Sequence, residues 1–255
     1  CKGTLRSFHP ASNCFTMKIT LLFIISSVAG ISDDLRYKAL YKSDLLEGDI
    51  KTLNGLNERA AIKDTRYLWP KNLVVYRVDN SLANYKAQIR AIMDTITLET
   101  GNCIRFKERF NERDYINIIH DIGCYSYIGK IGGAQDLSLE NGCHDNGTIV
   151  HEILHALGFD HEHNRPDRDS FLTIYTNNIQ PDKLHNFEKN SVQKFTALVP
   201  FDFISIMMYG LNAFAKEYGL TTMSAKSGTK LTHPYEKRGL SQLDVQRIKK
   251  LYKCA

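Results

Sequence analysis

The sequence predicts an α+β domain in two lobes. Three features lead to it: β-branched and aromatic runs interleaved with one helical period up to residue 139, two short helical patterns near residues 148–157 and 241–252, and an irregular stretch from Arg165 to Gly239 broken by four prolines. In chain order, Leu73-Val74-Val75-Tyr76-Arg77-Val78 reads as a strand. Ser81 can cap a helix whose apolar positions Tyr85, Ile89, Ile92, Met93 and Ile96 follow the 3.6-residue period. Strands follow at Ile104-Arg105-Phe106 and Tyr115-Ile116-Asn117-Ile118-Ile119. Residues 131–139 open with glycines and read as an edge strand free on one side. A helix from Thr148 to Leu157 is stopped by Gly158, and the last one starts at Ser241-x-x-Asp244 and turns Leu243, Ile248, Leu251 and Tyr252 inward.

Composition narrows the classes of function. The 255 residues carry 33 basic and 28 acidic side chains, a net charge of +5, with 43% hydrophobic residues, which is too apolar and too balanced for a disordered chain. Basic residues are scattered rather than striped, so no nucleic-acid partner is expected. No apolar run reaches the roughly 18–20 residues of a membrane span.

The first 59 residues read as address and packaging. Residues 1–16 read as a non-native leader. Residues 17–30 read as a signal peptide: Lys18 is the basic start, Ile19 to Ile25 the apolar run and Ser26-Ser27-Val28-Ala29-Gly30 the small-residue end. Residues 31–59 are a pro-segment, too polar to form a core of their own, and Glu58-Arg59 before Ala60-Ala61-Ile62 is a junction that a trypsin-like protease would cut. Residues 60–255 are then the working domain of a secreted, extracellular protein. With the leader set aside, Cys103, Cys124, Cys143 and Cys254 remain, enough for two disulfides in any of three pairings.

The chemistry lies in His151-Glu152-Ile153-Leu154-His155-Ala156-Leu157-Gly158-Phe159-Asp160-His161. Helical residues four apart share a face, so His151 and His155 can grip one Zn²⁺ through neutral imidazoles. Gly158 can turn the chain back and bring His161 round as a third ligand, leaving a position open as catalytic zinc sites do. Glu152, beside the site but not a ligand, can act as general base towards a water molecule that attacks a peptide carbonyl. A bare His-Glu-x-x-His arises by chance in about one such sequence in a hundred, and the added Gly158 and His161 make coincidence far rarer.

The longer run His151-Glu152-x-x-His155-x-x-Gly158-Phe159-x-His161-Glu162-x-x-Arg165 resembles the astacin family of zinc endopeptidases, within the metzincin group, with Glu162 after the third histidine as the distinguishing residue. Ser205-Ile206-Met207-Met208-Tyr209 is similar to that family's Met-turn, and Tyr67-Leu68-Trp69-Pro70 to the start of its mature chains. The resemblance implies a two-lobed zinc protease domain, its active-site helix between a mixed-sheet lobe and an irregular C-terminal lobe. It implies that Met207 floors the metal and that Tyr209 is a switchable ligand that stabilises the oxyanion. It implies disulfides Cys103–Cys254 and Cys124–Cys143, and a protein or peptide substrate, extended along the strand near 132–139, cut by a monomer. By the same likeness Asp49, in Leu45-Leu46-Glu47-Gly48-Asp49, is the zymogen switch that ligates zinc, although Leu46 replaces the family's phenylalanine. Cleavage between Arg59 and Ala60 would free an ammonium that meets Glu162 through water. Met208 departs from the family's histidine at that position. The other histidines, His120, His144, His163, His185 and His233, read as surface or hydrogen-bonded residues, and Asn146-Gly147-Thr148 as a helix start as readily as a glycosylation site. The competing expectation is a secreted binding protein or toxin that keeps the fold and acts by docking.

Overall fold

The structure, a computed structural model, describes residues 31–42, 44–52, 65–192 and 197–254. The leader, the signal stretch and the junction at Arg59 and Ala60 lie outside these residues. Strand β1 (Leu73–Val78) is buried along most of its length, as a strand covered on both faces must be. It lies between β2 (Arg105–Glu108) and β3 (Tyr115–Ile119), parallel to both. The sheet continues through β5 (Ala134–Leu139), parallel to β3, to the antiparallel two-residue β4 (Cys124–Tyr125), giving the order β2-β1-β3-β5-β4.

This order corrects the expectation for residues 131–139. β5 is an inner strand, and the outer position belongs to β4 and the residue after it. Ser126 donates its N–H to the Asp49 carbonyl at 3.0 Å, and its own carbonyl accepts from Lys51 N at 2.9 Å. The physical reason is brevity: two paired residues produce no alternation that a sequence pattern can register.

Helix α1 (Asp33–Leu40) is capped by Ser32. Its last turn and the next residue, Ala39, Leu40 and Tyr41, are buried in the same apolar cluster as the later strands and helices. Helix α2 (Lys86–Glu99) buries Ile89, Ile92, Met93 and Ile96, the stripe its period requires. Its start differs from the expected one. Asp79 caps a 3₁₀ turn over Asn80–Tyr85, accepting from Ser81 N at 3.0 Å, and the α-helix begins only at Lys86. Ser81 is used elsewhere, its hydroxyl accepting from His120 N.

Helix α3 (Asn146–Ala156) is buried from Gly147 onward. It packs on α2, β4 and β5 on one side and on the turn Pro234–Glu236 on the other. Asp145 caps its N-terminus through Thr148 N at 2.8 Å. At the other end Trp69 Nε1 donates to the Ala156 carbonyl and the Tyr252 hydroxyl to that of Leu157, satisfying carbonyls the helix leaves unpaired. Gly158, at φ +103°, takes the left-handed turn out of the helix.

The second half is mostly 3₁₀ turns with one small sheet, β6 (Leu172–Ile174) antiparallel to β7 (Met223–Ala225). The closing helix α4 (Gln242–Leu251) has the capping box of Ser241 and Asp244. Leu243 is only partly buried, whereas Asp244 and Arg247 are buried, because both point at partners in the site below. Cys103 is bonded to Cys254 and Cys124 to Cys143, with Cα separations of 5.6 and 5.7 Å.

Candidate active site

His151 and His155 lie one turn apart on α3, and the turn at Gly158 carries His161 back to face them; all three are fully buried. His151 Nδ1 donates to the Ile206 carbonyl and His155 Nδ1 to that of Phe159, each at 2.8 Å. These bonds place the protons of both rings on Nδ1, so in the neutral rings each Nε2 presents a lone pair. Yet Nε2 of His151 stands 3.1 Å from that of His155 and 3.3 Å from that of His161. Lone pairs so close repel unless a cation lies between them. Ligands held tetrahedrally about 2.0–2.1 Å from zinc sit about 3.3–3.4 Å from one another, so the spacing fits that ion.

The fourth group of the cluster comes from the turn at residues 46–50. Asp49 is fully buried, its Oδ2 3.1 Å from His151 Nε2 and 3.2 Å from His161 Nε2, and its Oδ1 3.6 Å from His155 Nε2. Asp49, His151, His155 and His161 can together hold a metal ion. Burial opposes charge on Asp49, but the surrounding imidazoles outweigh it and hold its carboxyl well below the usual range. Burial pushes His151 down to about 4, the neutral state a ligand needs. Burial also opposes a proton on His161, but Asp49 and Glu47 raise that ring to about 10, a proton a divalent cation would displace.

Glu47 was not singled out by the sequence. Its Oε2 lies 2.7 Å from His161 Nδ1, so a carboxylate 114 residues earlier in the chain orients the third histidine from behind. No local signal marks it, since the two residues are far apart in the chain. Glu152 is fully buried, and its oxygens have no hydrogen-bond partner. Desolvation, helped by the neighbouring Asp49 charge, raises its carboxyl well above the ordinary range.

The segment 205–209 runs under this cluster. Ser205 Oγ and Ile206 N both donate to the buried Asp244 carboxylate, at 2.6 and 2.8 Å, so α4 fixes the turn whose Ile206 carbonyl holds His151. Met207 and Met208 are fully buried. The Tyr209 ring stacks on His163 at 3.9 Å and lies 4.4 Å from the His161 ring, and its hydroxyl is buried without a hydrogen bond. Glu162 accepts from Arg165 at 3.0 Å, from Asp202 N at 2.9 Å and from Arg247, a buried carboxylate shared by two guanidinium groups. Of the other histidines, His120 and His185 are exposed, whereas His144, His163 and His233 are buried.

Residues 61–253 match the family model described as Astacin, a peptidase family. The chain belongs to the astacin family. It is 41% identical over 237 residues to astacin-like metalloprotease toxin 1 of Loxosceles intermedia, covering 91% of this chain and 86% of the relative. It is 36% identical over 219 residues to high choriolytic enzyme 1 of Oryzias latipes, covering 82% of this chain and 78% of that one. The solved structure of that hatching enzyme zinc-protease matches with a TM-score of 0.61 at 34% identity, covering 81% of this chain and 100% of its own. As an astacin, the chain is a zinc metalloprotease acting on proteins, on an α+β metzincin fold. Among the described residues no helix is long and apolar enough to cross a membrane.

Proposed function

We propose that this chain is the latent precursor of a secreted zinc endopeptidase, with His151, His155 and His161 as zinc ligands and Asp49 as the group that blocks the fourth position. The supporting observation is the convergence of three imidazole nitrogens and one pro-segment carboxylate on a volume the size of a single cation. Zinc bound there would supply Lewis-acid polarisation of the scissile carbonyl and of the attacking water. Glu152, ionised once Asp49 has left, takes a proton from that water and passes it to the departing amine. Tyr209 donates its unengaged hydroxyl to the oxyanion that develops on the substrate. Met207 contributes an apolar floor behind the ligands.

Latency ends when a trypsin-like protease cuts after Arg59. The pro-segment then withdraws Asp49 and Glu47 together, and the substrate backbone takes the place of Asp49 and Lys51 along Ser126, an added-strand mode of recognition. The new ammonium on Ala60 would join Arg165 and Arg247 around Glu162. Secretion is supported by the apolar run after Lys18 and by two disulfides, which persist in oxidising compartments.

Casein digestion by the trypsin-treated chain checks the mechanism. The processed protein is expected to cleave, an excess of zinc chelator to stop it, and Glu152→Ala to lose at least about a thousandfold in kcat/KM. Equal activity in Glu152→Ala would remove the general base from the mechanism, and a protein that cuts nothing would favour a docking role on the same fold.

A further inference from the structure

Tyr41 is buried in an aromatic pocket beside the metal-ligand cluster. Its ring centroid lies 5.1 Å from those of Tyr209 and Phe214, 5.4 Å from that of His233 and 4.8 Å from that of Tyr37. The hydroxyl meets His233 Nδ1 at 2.7 Å, and Gly210 N donates towards it at 3.5 Å. Apart from Tyr37, these groups belong to residues 209–233, which stay behind when the pro-segment leaves.

The polar end of the pocket is fixed in advance. His233 Nε2 lies 2.6 Å from Asn212 Oδ1, an acceptor, so that nitrogen carries the proton and Nδ1 is left to accept. Tyr235 stacks on the imidazole at 4.9 Å, and the His233 N–H donates to Glu236 Oε2 at 2.7 Å. Gly210 allows the ring its place: a Cβ there would lie 2.3 Å from His233 Nδ1. With Tyr41 seated, desolvation holds the imidazole down to about 3, hence neutral and accepting. Tyr209 forms the wall towards the metal site, its ring 4.4 Å from that of His161. A side chain in this pocket is therefore one ring away from a metal-ligand imidazole.

We propose that, once vacated, the Tyr41 pocket is a substrate subsite next to the scissile bond that selects a tyrosyl side chain through its hydroxyl, with His233 as the specificity-determining residue. The proposal rests on the reading of residues 31–59 as a removable pro-segment. Tyr41 occupies the pocket in the latent chain as a substrate side chain would in the processed one. Aromatic walls accept phenylalanine as readily as tyrosine. The buried His233 acceptor is what separates them, because phenylalanine would leave it unpaired and tyrosine would not.

The test has two arms, both on trypsin-processed, zinc-loaded protein. In the first, peptides that differ only by Tyr, Phe or Leu at each position around the scissile bond are compared by kcat/KM. One position is expected to favour Tyr over Phe by about tenfold or more, and His233→Phe is expected to bring that ratio close to one. No position with a Tyr preference above about twofold, or an undiminished preference in His233→Phe, would overturn the proposal. The second arm needs no turnover: N-acetyl-tyrosinamide and N-acetyl-phenylalaninamide are titrated against the protein and followed at the His233 imidazole resonances. Tighter binding of the tyrosine amide, with a shift of those resonances, supports the pocket even if no peptide is cleaved, in which case the protease reading alone fails. Equal binding of the two amides, or resonances that do not move, overturns it.

Discussion

Two carboxylates two positions apart, Glu47 and Asp49, do different work. Asp49 faces the histidine Nε2 atoms, while Glu47 approaches His161 from its Nδ1 side. A carboxylate behind a ligand histidine fixes ring orientation and raises basicity, and its loss typically costs about 10- to 100-fold in metal affinity. Glu47→Ala in the full-length chain is therefore expected to weaken zinc retention by about that factor, read as release to a competing chromogenic chelator. After cleavage at Arg59, which on the proposed reading removes Glu47, the substitution should make no difference. Unchanged retention in the full-length variant would show that Glu47 is a bystander. The histidine triad was legible at this scale because its geometry is local: a four-residue helical step and one glycine turn fix it. Glu47, His163 and His233 were not, since each reaches its role across a long stretch of chain that no spacing rule spans.

At the scale of the element, α3 is held from both sides, and Gly147 marks the closest approach. A Cβ there would come within 2.0 Å of the Pro234 carbonyl oxygen and 2.5 Å of that of Lys237. Helix propensity alone favours alanine over glycine by about 1 kcal/mol. The clash is with backbone, which cannot swing aside, so it decides the sign. Gly147→Ala is expected to destabilise the chain by about 1–3 kcal/mol, seen as a thermal midpoint several degrees lower; a midpoint that rises would mean the turn at 234–237 yields freely. The sequence foresaw this helix, the stripe of α2 and the capping box of α4, because period and cap are written in adjacent residues. It misplaced the sheet edge. β4 is too short to show a pattern, and which strand lies outermost is decided by pairing between distant residues.

For the whole molecule, the two disulfides close loops of very different length. Cys103–Cys254 spans 151 residues and ties the strand region to the C-terminal end, while Cys124–Cys143 spans 19 and staples β4 near the start of α3. In the chain-entropy model the first contributes about 5 kcal/mol and the second about 3. Replacing Cys103 and Cys254 by alanine should therefore lower the denaturant midpoint more than replacing Cys124 and Cys143. The reverse order would mean that packing of the fully buried Cys124 and Cys143 outweighs loop length. At the same scale, residues 31–52, too polar for a core of their own, bury Ala39, Leu40 and Tyr41 in the apolar cluster that also holds Met207 and Tyr209.

The sequence by itself determined what depends on neighbours along the chain: the α+β alternation, the ends of the helices, three histidines at the spacing one cation requires, and the glutamate beside them. Tertiary structure alone decided that Glu47 stands behind His161, which strand forms the sheet's rim, and that a tyrosine from the leading segment fills a pocket closed by a histidine 192 residues further on. The physical reason is range. Backbone periodicity and capping act over a turn or two, whereas a binding site is made by packing, which brings together residues whose separation in sequence carries no information about their distance in space.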